Sequence, residues 1–189
     1  MHLRHDDRRR RFELLAMPHL DAAYNLARWL AGNAADAEDV VQEAYLRAFR
    51  YFDAWRGGNF RVWLLTIVRN SFMTWVKENR GSRLVFHPDA PTGDTADTEA
   101  TAWSTPPRDP ESLLLERIDS QTLARLMQRL PAEYREVLLL REVEDLSYKE
   151  IATVIDVPIG TVMSRLSRAR LALRKLWDGA QPAEAANGV

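Results

Sequence analysis

Five cations and no acid lie between positions 161 and 175: Arg165, Arg168, Arg170, Arg174 and Lys175. One-signed charge on so short a segment suits a phosphate backbone, and arginine can also read a guanine edge with two hydrogen bonds. A second group suits a different ligand. Trp55, Arg56, Asn59, Arg61, Arg69 and Asn70 interleave with Phe60, Trp63, Phe72 and Trp75. Rings that stack on bases, beside cations that hold phosphates, are what single-stranded nucleic acid requires. Most of these rings must serve a core, so base contact is expected only at the loop and its borders, with Trp55 first.

A catalytic reading finds no comparable support. His2, His5, His19 and His87 show no HExxH or other metal-ligand spacing, there is no cysteine, and no GxxxxGK[ST] occurs. No nucleophile–base arrangement is visible. The expectation is a protein that is not an enzyme and carries no metal and no cofactor.

The basic segment needs a helix to aim it. Ser147 followed by Glu150 is a capping box, starting a helix whose Ile151, Ala152 and Ile155 share a face. Asp156-Val157-Pro158-Ile159-Gly160 breaks it. Thr161 is expected to cap a second helix with Val162, Leu166, Ala169, Leu173 and Leu176 on one stripe and Ser164, Ser167, Arg168, Leu171 and Lys175 on the other side. A helix, a Gly-containing turn and a basic helix make a helix-turn-helix, whose second helix can enter the major groove. A helical hairpin with a merely solvated basic face is the alternative.

Upstream, Phe12 to Ala31 reads as helical, with Pro18 kinking it or starting a new helix and Gly32-Asn33 ending it. Arg8 to Arg11 read as a solvated N-terminal edge. Asp36 to Phe52 is the clearest long helix, with Asp36 as its expected cap. Its apolar face carries Val40, Val41, Ala44, Tyr45, Ala48, Phe49 and Phe52, and the opposite face carries Asp39, Gln42, Glu43, Leu46 and Arg50. That face is either solvated with one stray leucine or a partner surface. A loop from Asp53 leads to Asn59, the expected cap of a helix over Phe60–Arg80.

Residues 81–110 hold Pro88, Pro91, Pro106, Pro107 and Pro110 among small residues, with an excess of acids and no helical or strand period. Beyond them, Glu111 to Leu130 reads as helical. Pro131 is expected in the first turn of another helix running through Tyr134, Val137, Leu138 and Leu140. The tail after Trp177 is small and polar.

The expected fold is all-α. Two small helical domains, 8–80 and 111–177, are joined by a flexible acidic linker at 81–110, and a disordered tail covers 178–189. A hydrophobic content of 46% permits such cores, and the net charge of −1 conceals its uneven distribution. No apolar stretch approaches membrane-spanning length and the start lacks the apolar run of a signal peptide, so no membrane insertion and a cytoplasmic location are expected.

Two regions agree on one family. DAEDVVQEAYLRAFRYFDAWRGGNFRVWLLTIVRNSF resembles region 2 of the sigma-70 superfamily, and LPAEYREVLLLREVEDLSYKEIATVIDVPIGTVMSRLSRARLALRKL resembles region 4. With only a linker between them, the chain is similar to the small extracytoplasmic-function (ECF) sigma factors. The resemblance implies binding to core RNA polymerase and promoter-specific initiation of transcription. Asp39, Gln42, Glu43 and Leu46, with Arg50 beside them, match the part of region 2 that docks on the β′ clamp helices. The β flap is a further implied polymerase contact. Trp55 and the loop to Asn59 resemble the segment that captures a flipped base of the −10 element, with Asn70 near that pocket and Arg56, Arg61 and Arg69 alongside. For the −35 element the resemblance points to Met163, Ser164, Ser167, Arg168 and Arg170 as readers, with Thr161 and Lys175 at the same helix. Arg165, nearer the apolar edge, suits a phosphate or structural role. The linker resembles the family segment that threads the RNA exit path, and an anti-sigma partner is implied.

The chain departs from the family at Met163, where many members carry a basic residue, and at Trp55, where Phe is more usual. An apolar Met163 can touch a thymine methyl but cannot bond a guanine edge. A stand-alone helix-turn-helix regulator is the rival reading, and would bind its site tightly without polymerase.

Overall fold

A computed structural model of the chain describes residues 2–79 and 122–180, and among these all regular structure is helical. The expected linker, the first part of the helix expected from Glu111, and the end of the tail lie outside the described residues.

Pro18 divides the first helical stretch as its missing amide demands. Helix α1 (His2–Ala16) gives way to a 3-10 turn, Met17–His19, and then to α2 (Leu20–Ala31), which ends at Gly32 with φ +83°. That left-handed conformation favours glycine and closes the Arg28 carbonyl. Helix α3 (Ala34–Arg50) is capped by Asn33, whose side chain accepts from the Asp36 amide at 2.9 Å. The expected cap, Asp36, therefore sits inside the first turn, and the better-placed amide side chain takes the cap. A 3-10 turn, Phe52–Ala54, and a loop with Gly57 and Gly58 at positive φ lead to α4 (Phe60–Asn79). Asn59 caps it as expected, accepting from the Arg61 amide.

In the C-terminal half, α5 takes in residues 122–128 and α6 spans Ala132–Leu138. Pro131 stands at the cap of α6, one residue earlier than expected. A five-residue π turn, Leu139–Val143, follows. The capping box at Ser147 is complete, and α7 (Tyr148–Ile155) ends on Asp156 in the left-handed region at φ +53°. Helix α8 (Ile159–Ala180) begins two residues before the expected cap. Its first turn closes on the Pro158 carbonyl, so Thr161 lies within the helix and caps nothing. At its other end α8 runs through 178–180, which had been placed in the tail.

Helices α2, α3 and α4 pack on one another, α1 crosses over α4, α6 and α7 pack on α8, and α4 and α2 meet α7 and α6. Leu26, Leu65, Val68, Val137, Leu139, Ile151, Val154 and Leu166 therefore belong to a single buried cluster. Each aliphatic chain of this size contributes about 1.5–3 kcal/mol when fully buried. A smaller cluster of Phe12, Ala16, Ala48, Phe52, Phe60 and Leu64 sits under α1. The two helical units share an apolar core at their junction.

Candidate nucleic-acid interface

The helix-turn-helix is seated by its apolar stripe. Val162, Leu166 and Ala169 are buried, and this turns Met163, Ser164, Ser167, Arg168, Leu171 and Lys175 outward. Met163 and Leu171 are more than half exposed, and helical spacing sets Ser167 between them on one line. Arg168 is exposed and has no partner among the described residues. Of the other three arginines of this stretch Arg174 is exposed, and two are engaged. Arg165 pairs with Glu133 of α6 at 3.2 Å, which fits the structural role its position on the apolar edge suggested. Arg170, expected on the reading side, is held by Glu142 through Nε at 3.1 Å and Nη2 at 2.7 Å. It lies on the flank of α8 that faces the π turn. The outward side thus presents one arginine, two serines and two apolar chains to base edges, and thymine methyls are the natural partner of the latter.

Trp55 is half-buried. Its ring stacks on Phe52 at 6.4 Å and meets Phe60 edge-on at 5.3 Å. Its buried Nε1–H finds no acceptor among the described residues. The indole also lines an open groove with Arg10, Arg11, Leu14 and Leu15. Of the arginines expected to form a solvated edge on α1, Arg9, Arg10 and Arg11 are exposed, and Arg8 departs from that reading. Arg8 donates to the Phe49 carbonyl at 2.6 Å and lies over the Phe49 ring. Arg10 and Arg11 come to the groove beside Trp55. Only folding α1 across the loop creates this proximity. His19 stacks on Phe60, and burial first, then the nearby Arg61 charge, holds its imidazole below the usual histidine range.

The other expected contacts on this unit divide into two groups. Arg56 and Asn70 are exposed. Asn59, Arg61 and Arg69 point toward the C-terminal unit and are bonded there. Asn59 donates to Glu150 at 2.7 Å, Arg61 to Glu144, and Arg69 to Glu136 at 2.8 Å. Glu136 and Glu144 are the buried carboxylates of the described core. Burial pushes Glu136 upward from the usual carboxylate range, and the Arg69 charge opposes the shift. A glutamate directly before the apolar run Val137–Leu140 was the one sequence signal of such a pair. Its partner could not be read there.

On α3, Asp39, Gln42, Glu43, Leu46 and Arg50 form one exposed face. Leu46 is 58% exposed on it, and Glu43 is braced by Arg47 at 2.6 Å. An exposed apolar chain ringed by polar ones has the make-up of a small docking patch. Among the described residues no group of histidines and carboxylates could hold a metal ion, and no helix is long and apolar enough to cross a membrane.

Residues 15–81 match the family described as Sigma-70 region 2, and residues 120–173 match Sigma-70, region 4. The chain is 36% identical over 146 residues to the ECF RNA polymerase sigma-E factor of Escherichia coli strain K12, covering 74% of this chain and 73% of that protein. It is 34% identical over 160 residues to the ECF RNA polymerase sigma factor SigE of Mycolicibacterium smegmatis, covering 85% of this chain and 59% of the relative. Among solved structures it is similar to the sigma factor RpoE from Bartonella quintana, crystallised with the anti-sigma factor NepR. The TM-score is 0.66 at 27% identity, over 90% of this chain and 98% of that one. It is also similar to CnrH in complex with the cytosolic domain of CnrY, with a TM-score of 0.60 at 26% identity, over 92% and 91%. Two matched regions and a relative of which nearly three quarters is covered settle the family: this chain belongs to the ECF sigma factors of the sigma-70 superfamily, non-catalytic proteins that direct promoter-specific initiation by RNA polymerase.

Proposed function

We propose that the chain docks on core RNA polymerase through the exposed α3 face of Asp39, Gln42, Glu43, Leu46 and Arg50, and contacts its promoters at two places. The outward side of α8 reads the −35 element as duplex, with Arg168 at a guanine edge and Met163 at a thymine methyl. The Trp55 loop, with Arg56, Asn59, Arg61, Arg69 and Asn70, takes the melted −10 strand. Extruding a base costs a few kcal/mol and stacking on a side chain returns about 1–3 kcal/mol, so capture roughly offsets one unpairing. Polymerase contacts supply the remainder. By likeness to the Bartonella quintana sigma factor solved with an anti-sigma factor, a partner of that kind would hold the protein inactive, in the cytoplasm.

The observation that supports this most is the division of labour on α8. Its buried stripe and two carboxylate-bound arginines fix the helix, and Arg168, Met163 and Ser167 face away from it, exposed and fit for base edges. The test is reconstitution. Core polymerase plus this chain should give run-off transcripts from promoters selected out of a random library, with fixed −35 and −10 blocks. Specific duplex binding without polymerase, and no transcript with it, would establish the stand-alone regulator instead.

A further inference from the structure

Promoter and polymerase contact leave unused a part-open cavity of about 280 Å³ where α2, α4, α6 and α8 meet. Three helices give it one face each. Leu26, Trp29 and Leu30 recur at helical spacing on α2, and Arg69, Phe72 and Met73 do so on α4. On α6 the same spacing brings Arg135 to the cavity with Ala132 and Glu136, and Leu139 follows one turn on. Leu26, Phe72 and Leu139 are buried, and Trp29, Leu30 and Met73 are half-buried, so much of the wall is apolar.

The polar groups of the cavity do not balance. Arg69 donates to Glu136 at 2.8 Å, and Arg165 pairs with Glu133 at 3.2 Å. That leaves Arg135. Its side chain is half-buried and makes no hydrogen bond and no ion pair among the described residues. Burial lowers its guanidinium from the ordinary arginine value, and no acid opposes that shift. A cation already stripped of part of its water favours an incoming anion, and the planar guanidinium fork suits two parallel bonds to a carboxylate. One positive charge is uncompensated, so one negative charge completes the site. A doubly charged phosphate would in addition meet the carboxylates of Glu133 and Glu136.

We infer that this cavity binds a small organic acid, a single carboxylate on a compact apolar body, with the carboxylate on Arg135 and the body against Trp29 and Phe72. Pockets for drug-sized ligands run from about 300 to 1,000 Å³. This one is smaller, so its occupant is no larger than one ring with its substituents. Such a molecule touches α2 and α4 on one side and α6 on the other. Arg135 and Ala132 have no part in the promoter or polymerase contacts proposed above, so the site can be altered without touching them.

The probe is para-trifluoromethylbenzoate, added to the full-length chain and followed by fluorine NMR. Its resonance should shift and saturate with one site per chain. Arg135→Ala breaks no bond among the described residues, so it should melt like the wild type. It should weaken the benzoate by about ten-fold or more, the worth of a charge-assisted hydrogen bond. Ala132→Phe fills the cavity while leaving Arg135 in place, and should abolish saturation. The benzamide of the same shape lacks the charge and acetate lacks the ring; each should bind about ten-fold more weakly or worse. No saturation of the wild type by the benzoate overturns the site. Undiminished affinity in Arg135→Ala, or in a folded Ala132→Phe, overturns it too by placing the acid elsewhere on the chain. A benzamide as tight as the benzoate removes the anion from the inference, and acetate as tight as the benzoate removes the apolar body.

Discussion

Arg61, in the first turn of α4, forms its ion pair with Glu144, a residue 83 positions away in the other helical unit, and the glutamate side chain is 4% exposed. A carboxylate so enclosed is stable only with its partner. Arg61→Ala and Glu144→Ala should each destabilise the folded chain by roughly 2–4 kcal/mol, and the double-mutant cycle should give a coupling of about 1–3 kcal/mol. Urea titration followed by tryptophan fluorescence measures both. Additive losses would show that the two residues act separately.

Arg168 and Arg170 sit two positions apart on α8 but face different groups. Arg168→Ala should cost about 1–3 kcal/mol at one −35 base pair and little on duplexes already altered there. Arg170→Ala loses a half-exposed pair with Glu142, an interaction worth at most about 1 kcal/mol, and should leave base preference intact. Holoenzyme binding to a set of singly substituted promoters separates the two. Equal losses from Arg168→Ala on every sequence would make it a phosphate contact.

Trp55 combines a stacking ring with a buried N–H that has no acceptor among the described residues. Trp55→Phe should therefore keep or raise stability by up to about 1 kcal/mol, since an unsatisfied donor disappears with little lost packing. Trp55→Ala should leave polymerase binding intact and weaken promoter opening. Permanganate reactivity of the −10 thymines reports opening, and a pattern unchanged in Trp55→Ala would remove the residue from base capture.

Tyr45 donates to the Ala16 carbonyl at 3.0 Å, and burial, with a smaller effect of Asp21, raises its phenol from 10.0 to about 12. The folded state holds this proton more tightly than the unfolded one. Its contribution is complete below pH 10 and falls as pH rises from 10 toward 12. Tyr45→Phe should cost about 1 kcal/mol near neutrality and flatten the alkaline part of the stability curve. Thermal melts across that range check it, and an unaltered slope would assign the alkaline loss to other groups.

Charge reversal at Asp39 and Glu43 should weaken co-purification with core polymerase while costing at most about 1 kcal/mol of stability, because both side chains are exposed and only the Glu43–Arg47 pair is lost and turned repulsive. Undiminished recovery with core enzyme would exclude this face from docking.

Much of this protein was determined by local chemistry. Ser147 and Glu150 form a capping box whatever surrounds them, Pro18 must interrupt a helix, and Asn59 has the right side chain one residue before Phe60. Helical periodicity was enough to divide α8 into a buried stripe and an outward side, and each residue assigned to either side lies there. The boundaries that shifted were set by small competitions: Asn33 outbid Asp36 for the α3 cap, and the Pro158 carbonyl began α8 before Thr161.

Long-range pairing was decided only by the tertiary structure. Arg61, Arg69 and Arg170 read as free cations in the sequence because charge alone does not show which acid folding will bring near. Their partners lie 83, 67 and 28 positions away, and two depend on how a π turn ends α6. Arg8 was likewise tied to Phe49 and Asp53 only when α1 crossed the loop. Periodicity reports which side of a helix avoids water, since that follows from residues three and four apart. Which helix covers that side, and which carboxylate arrives with it, depends on how the helices pack.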